Sequence, residues 1–185
     1  MNELSQLTDE QREKLNKARR RVIESIGKNM DLYGITLSIG HLYGNMYFNE
    51  HPATLDEMSA TMGMSKTSMS TGMRTLHDLK MINKVWGKGS RKDLYEVEPD
   101  WHQNFTDFFS IKWSKAVEQN MIALNRSMKE LSQLKEQYDE DDPFQRILTV
   151  DILKIEEGLK YYKWLERLIH SFETGEIYRY IPKED

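Results

Sequence analysis

Polar and apolar positions in the first part of the chain follow the helical repeat of three to four residues. The segment from 9 to about 29 opens with a capping box of Thr8 and Gln11 and meets no helix breaker until its last turn, which predicts a first helix. After Gly34 the repeat resumes and predicts a second helix that ends near Phe48. The apolar stripe of this second helix consists of Ile35, Ile39, Leu42 and Met46.

Two further helices follow, separated by a tight turn. Thr54 and Glu57 form a second capping box, and Gly63 fits the left-handed residue that ends a short helix. Ser65 is a good N-cap for the next helix, which runs to about Leu79. A short helix, a turn containing glycine and another helix make the helix-turn-helix layout.

The second helix of this layout has two opposed faces. At about 100° per residue, one side carries small hydroxyls and an arginine, and the other side is apolar. The polar side consists of Thr67, Ser70, Thr71 and Arg74, and the apolar side of Met69, Met73 and Leu76. Hydroxyls can approach phosphates and base edges closely, and a guanidinium can form two hydrogen bonds with guanine. Because a solvated face more often alternates Glu and Lys, the pattern favours a DNA-reading helix over a plain amphipathic one.

Alternating apolar and polar residues predict a β-hairpin directly after this helix. Residues 81–86 and 94–97 alternate, and the segment between them is a glycine turn rich in basic residues. A basic hairpin behind a helix-turn-helix is typical of a wing, whose tip can contact the DNA backbone or enter the minor groove. The expected wing contacts are Lys88, Arg91 and Lys92. The alternative is a surface hairpin whose lysines only keep it soluble, and its position in the chain favours the wing.

Positive charge is concentrated in the same part of the chain. The whole sequence has 26 basic and 30 acidic residues, and its net charge of −4 indicates no partner by itself. Residues 63–92 carry seven bases and one acid, a net charge of +6, which leaves −10 for the rest. This segment is therefore a candidate phosphate-contacting surface. Six bases between Arg12 and Arg21 form a second patch, which we interpret as a solvated helix face.

Composition excludes several other classes of protein. With no cysteine, the chain has no disulfide, thiolate metal site or cysteine nucleophile. Its five histidines form no i, i+4 pair, and neither a glycine-rich phosphate loop nor a nucleophile elbow is present. We therefore expect no enzyme activity, no cofactor and no metal. A mean hydropathy of −0.72, without a transmembrane stretch or a signal peptide, predicts a soluble cytoplasmic protein.

The last part of the chain predicts long helices. A stretch free of helix breakers runs from about 100 to 142, and a second runs from Pro143 to about Phe172. Helices of this length have too few partners within a small chain, so we expect them to pair in a homodimer. A dimer can place two DNA-reading helices about 34 Å apart, which is the spacing of successive major grooves.

Several segments resemble the winged-helix core of the MarR superfamily. They are Leu42–Gly44, Thr54–Met58, Met64–Ser70 and the wing from Lys88 to Tyr95. The resemblance covers about residues 34–100, and with Gly158–Leu165 it is closest to the GbsR-like branch, whose members control choline uptake and glycine betaine synthesis or uptake in bacteria. It implies a dimeric regulator, usually a repressor, in which helices from both chain ends form the dimer interface.

The ligands of this branch suggest a chemistry for an effector site. Choline and glycine betaine carry a quaternary ammonium, which aromatic faces bind by cation–π attraction. The candidate effector residues are Tyr43, Tyr47, Trp101, Phe105, Trp113, Tyr161 and Trp164. An aromatic stripe at helical spacing is more often core or dimer seam, so both interpretations stay open at this point.

Together these patterns predict a mainly α-helical protein: a winged helix-turn-helix with a small β-hairpin wing and long terminal dimerisation helices. We divide the chain into an N-terminal dimerisation helix (1–33), a DNA-binding domain (34–99) and a helical dimerisation and effector region (100–185).

The expected function is a homodimeric repressor that binds an operator in double-stranded DNA and controls choline or glycine betaine genes. The groove-facing residues named above would contact bases, and Ser65, Lys66 and Ser68 would contact phosphates. The alternatives are a repressor that does not respond to the effector and a helical protein-interaction module that docks through the winged helix.

Overall fold

The structure is a computed structural model that describes residues 6–87, 92–138 and 143–184. Its helices are α1 (Asp9–Asn29), α2 (Leu37–Tyr47), α3 (Leu55–Met62), α4 (Lys66–Asp78), α5 (Trp101–Lys135) and α6 (Pro143–Glu173). Its strands are β1 (Ala53–Thr54), β2 (Ile82–Val85) and β3 (Leu94–Val97), and short 3-10 helices cover Met30–Tyr33 and Glu176–Arg179. The chain divides into two compact units, Met1–Asn104 and Phe105–Asp185.

The two predicted capping boxes are present at the N-terminal ends of α1 and α3. The Thr8 hydroxyl accepts from the Gln11 backbone N–H, and the Gln11 side chain accepts from the Thr8 backbone N–H. Thr54 and Glu57 form the same reciprocal pair at the start of α3. Each pair satisfies two backbone donors that the first helical turn leaves open.

α1 and α2 pack against each other at closely spaced glycines. A Cβ atom on Gly40 would lie 2.8 Å from the Gly27 Cα atom, and one on Gly44 would lie 3.1 Å from the Ile23 Cα atom. The two backbones therefore approach more closely than larger residues allow. This contact places α1 in the same compact unit as the helix-turn-helix, while its role in dimerisation stays a prediction.

The predicted hairpin is present and gains a third strand. β3 lies between β1 and β2 and pairs antiparallel with both. Ile82 lies opposite Val97, and Ala53 lies opposite Tyr95. β1 thereby joins the start of α3 to the first two residues of β3.

One core holds the helix-turn-helix, α2 and the sheet together. The large side chains that are fully buried are Leu42, Tyr43, Met58, Met69, Met73, Leu76 and Ile82. They come from α2, α3, α4 and β2, so burial of their apolar surface fixes α4 with one face inward. Gly72 of α4 admits Leu42, because a Cβ there would lie 3.1 Å from the Leu42 Cδ2 atom.

The second unit contains most of α5 and all of α6. Val117 of α5 and Leu165 and Ile169 of α6 form its buried cluster. The Gln145 side chain of α6 donates to the backbone carbonyls of Lys135 and Tyr138. Lys135 is the last residue of α5, so this bond satisfies a carbonyl at the C-terminal end of that helix. Among the described residues, no helix is long and apolar enough to cross a membrane.

Candidate nucleic-acid interface

The turn between α3 and α4 is held by short-range hydrogen bonds. Gly63 has a φ of 62°, a left-handed conformation that glycine adopts without strain. The Ser59 hydroxyl donates to the Met64 carbonyl at 2.6 Å, and the Ser65 hydroxyl accepts from the Ser68 backbone N–H at 3.2 Å. These bonds fix the direction in which α4 leaves the turn.

α4 presents the two faces that its sequence predicts. Met69, Met73 and Leu76 are at most 1 % exposed. On the opposite side the exposed residues are Ser65, Lys66, Thr67, Ser68, Ser70, Thr71 and Arg74. Within the part of the chain that the structure describes, no acid forms an ion pair with Arg74. Its guanidinium is thus open to a partner outside the protein.

The wing carries two ion pairs. Lys92 Nζ lies 2.8 Å from Asp56 Oδ2 of α3, and Lys84 Nζ lies 2.8 Å from Asp93 Oδ2 within the hairpin. Hydrogen bonds to these carboxylates raise the pKa of both lysines, so both stay charged at neutral pH. The other predicted wing contacts, Lys88 and Arg91, lie outside the described residues.

Three of the candidate effector aromatics come together in the first unit. The Trp101 ring contacts Tyr43 edge-on at 6.4 Å and Tyr47 at 5.1 Å between ring centroids. The Trp101 indole N–H donates to the Tyr47 hydroxyl at 3.1 Å. Tyr43 is fully buried, and this burial raises the pKa of its hydroxyl, with smaller contributions from Tyr47 and Glu98. Tyr43 is therefore a core residue, and Tyr47 lies at the edge of the core.

The other four candidate aromatics lie in the second unit, in two groups of ring contacts. Phe105 contacts Phe109 and Phe172, and Trp113 stacks on Phe109 at 5.7 Å. Tyr161 and Trp164 form a separate stacked pair on α6, with ring centroids 6.2 Å apart.

An open cleft of about 300 Å³ lies beside Tyr47 in the first unit. Its lining includes Tyr47, Glu50, Tyr95 and Glu96. The sequence did not single out Glu50, Tyr95 or Glu96. Glu50 lies in a loop, and Tyr95 and Glu96 lie on β3, far from Tyr47 along the chain. The period-two alternation of β3 was the one signal that could have pointed to Tyr95.

A recognition helix with a polar outer face, preceded by a glycine turn and followed by a β-hairpin that completes a three-stranded sheet, defines a winged helix-turn-helix protein that binds DNA. A solved structure described as a transcriptional regulator has the same fold, with a TM-score of 0.60 over 90 % of this chain and 99 % of that chain, at 15 % identity.

Sequence comparisons identify the family. Residues 101–179 match the C-terminal helical hairpin of the GbsR family of transcriptional regulators. The chain is 42 % identical to the HTH-type transcriptional repressor GbsR of Bacillus subtilis (strain 168), over 92 % of this chain and 94 % of that protein. It is 39 % identical to the HTH-type transcriptional repressor OpcR of the same organism, over 90 % of each chain.

The chain therefore belongs to the GbsR family, and the predicted fold class and family resemblance are confirmed. It is a DNA-binding transcriptional repressor and not an enzyme.

Proposed function

We propose that this protein is a cytoplasmic homodimer that represses genes for choline or glycine betaine uptake or synthesis and releases DNA when a quaternary amine binds. The observation that carries the DNA-binding part is the orientation of α4. Its apolar residues are buried, and a row of hydroxyls with Arg74 is exposed. The genes are proposed from the GbsR-like resemblance.

The proposed contacts follow from the exposed side chains of α4 and from the basic residues in the sequence of the wing. Thr67, Ser70, Thr71 and Arg74 enter the major groove, where Arg74 selects a guanine. Phosphates are contacted by Ser65, Lys66 and Ser68 at the start of the helix. Lys88, Arg91 and Lys92 of the wing contact the backbone or the minor groove.

A second copy of the chain fits the apolar surface that α6 exposes. Five large apolar residues remain about half exposed on one side of this helix, within an arc of about 120°. They are Ile147, Val150, Leu153, Tyr161 and Trp164. Exposed apolar residues grouped on one side of a helix are typical of a protein interface. In the proposed dimer these residues meet their counterparts on the second copy.

The cleft beside Tyr47 has the chemistry of a quaternary ammonium site. Tyr47 offers an aromatic ring for cation–π attraction, and a carboxylate from the loop residue Glu50 would match the positive charge. Trp101 supports Tyr47 through the hydrogen bond to its hydroxyl. Among the three groups of candidate aromatics, the Tyr47 group is the one beside this acid-lined cleft, so we place the effector there.

Fluorescence anisotropy on the promoter fragments of this gene and its neighbours, against random DNA, tests the proposal. We expect tight binding to one promoter that weakens when choline is added. Selective binding that choline does not change supports the repressor without this effector. Equally weak binding to both DNAs, with little dependence on salt, contradicts DNA recognition and favours the protein-interaction module.

A further inference from the structure

A single carboxylate connects the recognition helix to the wing. Asp56, in the first turn of α3, places Oδ1 at 2.8 Å from Lys66 Nζ and Oδ2 at 2.8 Å from Lys92 Nζ. Lys66 is the first residue of α4, and Lys92 lies between the two strands of the wing, two residues before β3. One acid is thus shared by two of the lysines that we propose as phosphate contacts.

This cluster is ionised and accessible. Hydrogen bonds from Lys66 and Lys92 lower the pKa of Asp56 to about 2, so its carboxylate is charged throughout the neutral range. About 40 % of the Asp56 side chain and more of each lysine side chain are exposed to solvent. The three groups together carry a net charge of +1, and solvent or a ligand can reach all of them.

The carboxylate of Asp56 has the same relation to the two ammonium groups as a DNA phosphate would have. A carboxylate and a phosphodiester each carry one negative charge shared by two oxygens, and lysine binds either as a point charge. Ion pairs between exposed side chains contribute little to stability. Lys66 and Lys92 can therefore exchange the carboxylate for a phosphate without a large cost to the fold.

We propose that Asp56 is an internal phosphate mimic, which holds Lys66 and Lys92 together in the free protein and releases them to a phosphate when DNA binds. Its charge limits the affinity for the DNA backbone whatever the base sequence, so the protein relies more on base contacts to stay on DNA. The inference rests on the proposed phosphate contacts of the two lysines.

The test compares Asp56→Asn with the wild-type protein on a promoter fragment and on random DNA across a range of salt concentrations. Asn keeps the size of the side chain but removes the charge. We expect affinity for both DNAs to rise by about 5-fold at about 50 mM salt. The plot of log affinity against log salt concentration should become steeper by about one unit, because the net charge of the cluster that meets the backbone rises from +1 to +2.

Asp93→Asn is the matched control. It removes the same charge from an ion pair of the same length, but that pair joins only the two strands of the hairpin. We expect a change of less than about 2-fold for this variant, because Asp93 pairs with Lys84, which is not among the proposed phosphate contacts, and its loss releases neither Lys66 nor Lys92. An equal rise for Asp93→Asn would overturn the proposal, because any lost acid would then have the same effect.

Unchanged or reduced affinity of a folded Asp56→Asn protein would also overturn the proposal. Circular dichroism shows whether the variant folds, and Asp56→Ser, which suits the first turn of a helix, carries the same expectation if Asn does not fold. The wild-type protein separates the two claims. If it selects no promoter, the proposed function fails, whereas selective wild-type binding without a gain in Asp56→Asn contradicts only the role of Asp56.

Discussion

Asn104 shows how one buried polar residue holds together parts of the chain that are distant in sequence. Its side-chain N–H groups donate to the Tyr43 hydroxyl at 3.1 Å and to the Glu98 carbonyl at 3.0 Å. It therefore attaches the first turn of α5 to α2 and to the end of the sheet. A buried acceptor that loses its donor destabilises the folded state by its full desolvation free energy. Asn104 therefore contributes more to the free energy of unfolding than an exposed asparagine does.

Replacing Asn104 by Ala should lower the free energy of unfolding by about 1–3 kcal/mol, because both acceptors lose their donor. Urea denaturation at fixed protein concentration measures the change. Asn120→Ala is the control on the same helix, since the exposed Asn120 donates only to the Ala116 carbonyl one turn earlier. That variant should stay within about 0.5 kcal/mol of the wild type. Equal losses in the two variants would contradict the role given to Asn104.

Residues that act within one helical turn could be predicted from the sequence, and residues that act across the fold could not. The Thr8 and Thr54 capping boxes have a fixed spacing of three residues, and both are present. Asn104 and Asp56 find partners 61 and 36 residues away along the chain. No local pattern encodes such distances, because they depend on how the elements pack.

At the scale of elements, the contact between α1 and α2 depends on residues too small to separate the two backbones. The Cβ position on Gly40 lies within 3.0 Å of Gly27 and Met30 atoms, so this contact has no room for a methyl group. Gly158 of α6 is different, because its Cβ position meets Leu124 at an ordinary distance of 3.4 Å.

Replacing each of these two glycines by alanine should therefore change the free energy of unfolding in opposite directions. Gly40→Ala should lower the free energy of unfolding by about 1–3 kcal/mol, because the helices must move apart. Gly158→Ala should raise it by about 0.5–1 kcal/mol, because alanine favours the helix and meets only an ordinary contact. Thermal denaturation of both variants checks the pair. Stabilisation by Gly40→Ala would show that α1 and α2 do not pack as described.

Most elements could be predicted from periodicity, and the exceptions are short. The helices and the β2–β3 hairpin follow repeats that extend over several residues. β1 has two residues, too few to show alternation, and it exists because Ala53 and Thr54 meet β3 from a distant part of the chain. The sequence also did not predict the 3-10 helix at Met30–Tyr33, because this segment follows α1 directly and continues its pattern.

At the scale of the whole molecule, the exposed apolar side of α6 is the feature that supports the proposed dimer. α6 has a buried face that includes Leu165 and Ile169, and a second apolar side that includes Val150, Leu153 and Trp164, each about half exposed. Exposed apolar residues of this kind are typical of an interface, and the proposed second copy would cover them. The sequence predicted long helices and a dimer, but exposure values were needed to say which side of α6 is open.

Leu153→Glu should convert the dimer into monomers, because a charge at the centre of an apolar interface has no partner there. Size-exclusion chromatography with light scattering measures the mass, and circular dichroism should show unchanged helix content. Lys163→Glu is the control, since Lys163 is exposed on a polar part of the same helix. A dimer that persists in Leu153→Glu would show that this side of α6 is not the interface.

The central claim is that the exposed face of α4 reads the base sequence, and Arg74 tests it most directly. The measurement is the affinity of the wild type and of Arg74→Ala for the bound promoter fragment, for single-base variants of its site and for random DNA, at one salt concentration.

We expect Arg74→Ala to lose about 1–3 kcal/mol of binding free energy on the promoter and to lose discrimination at one base pair. Its affinity for random DNA should stay almost that of the wild type. Equal losses on promoter and random DNA would contradict the claim, because Arg74 would then contact only the backbone.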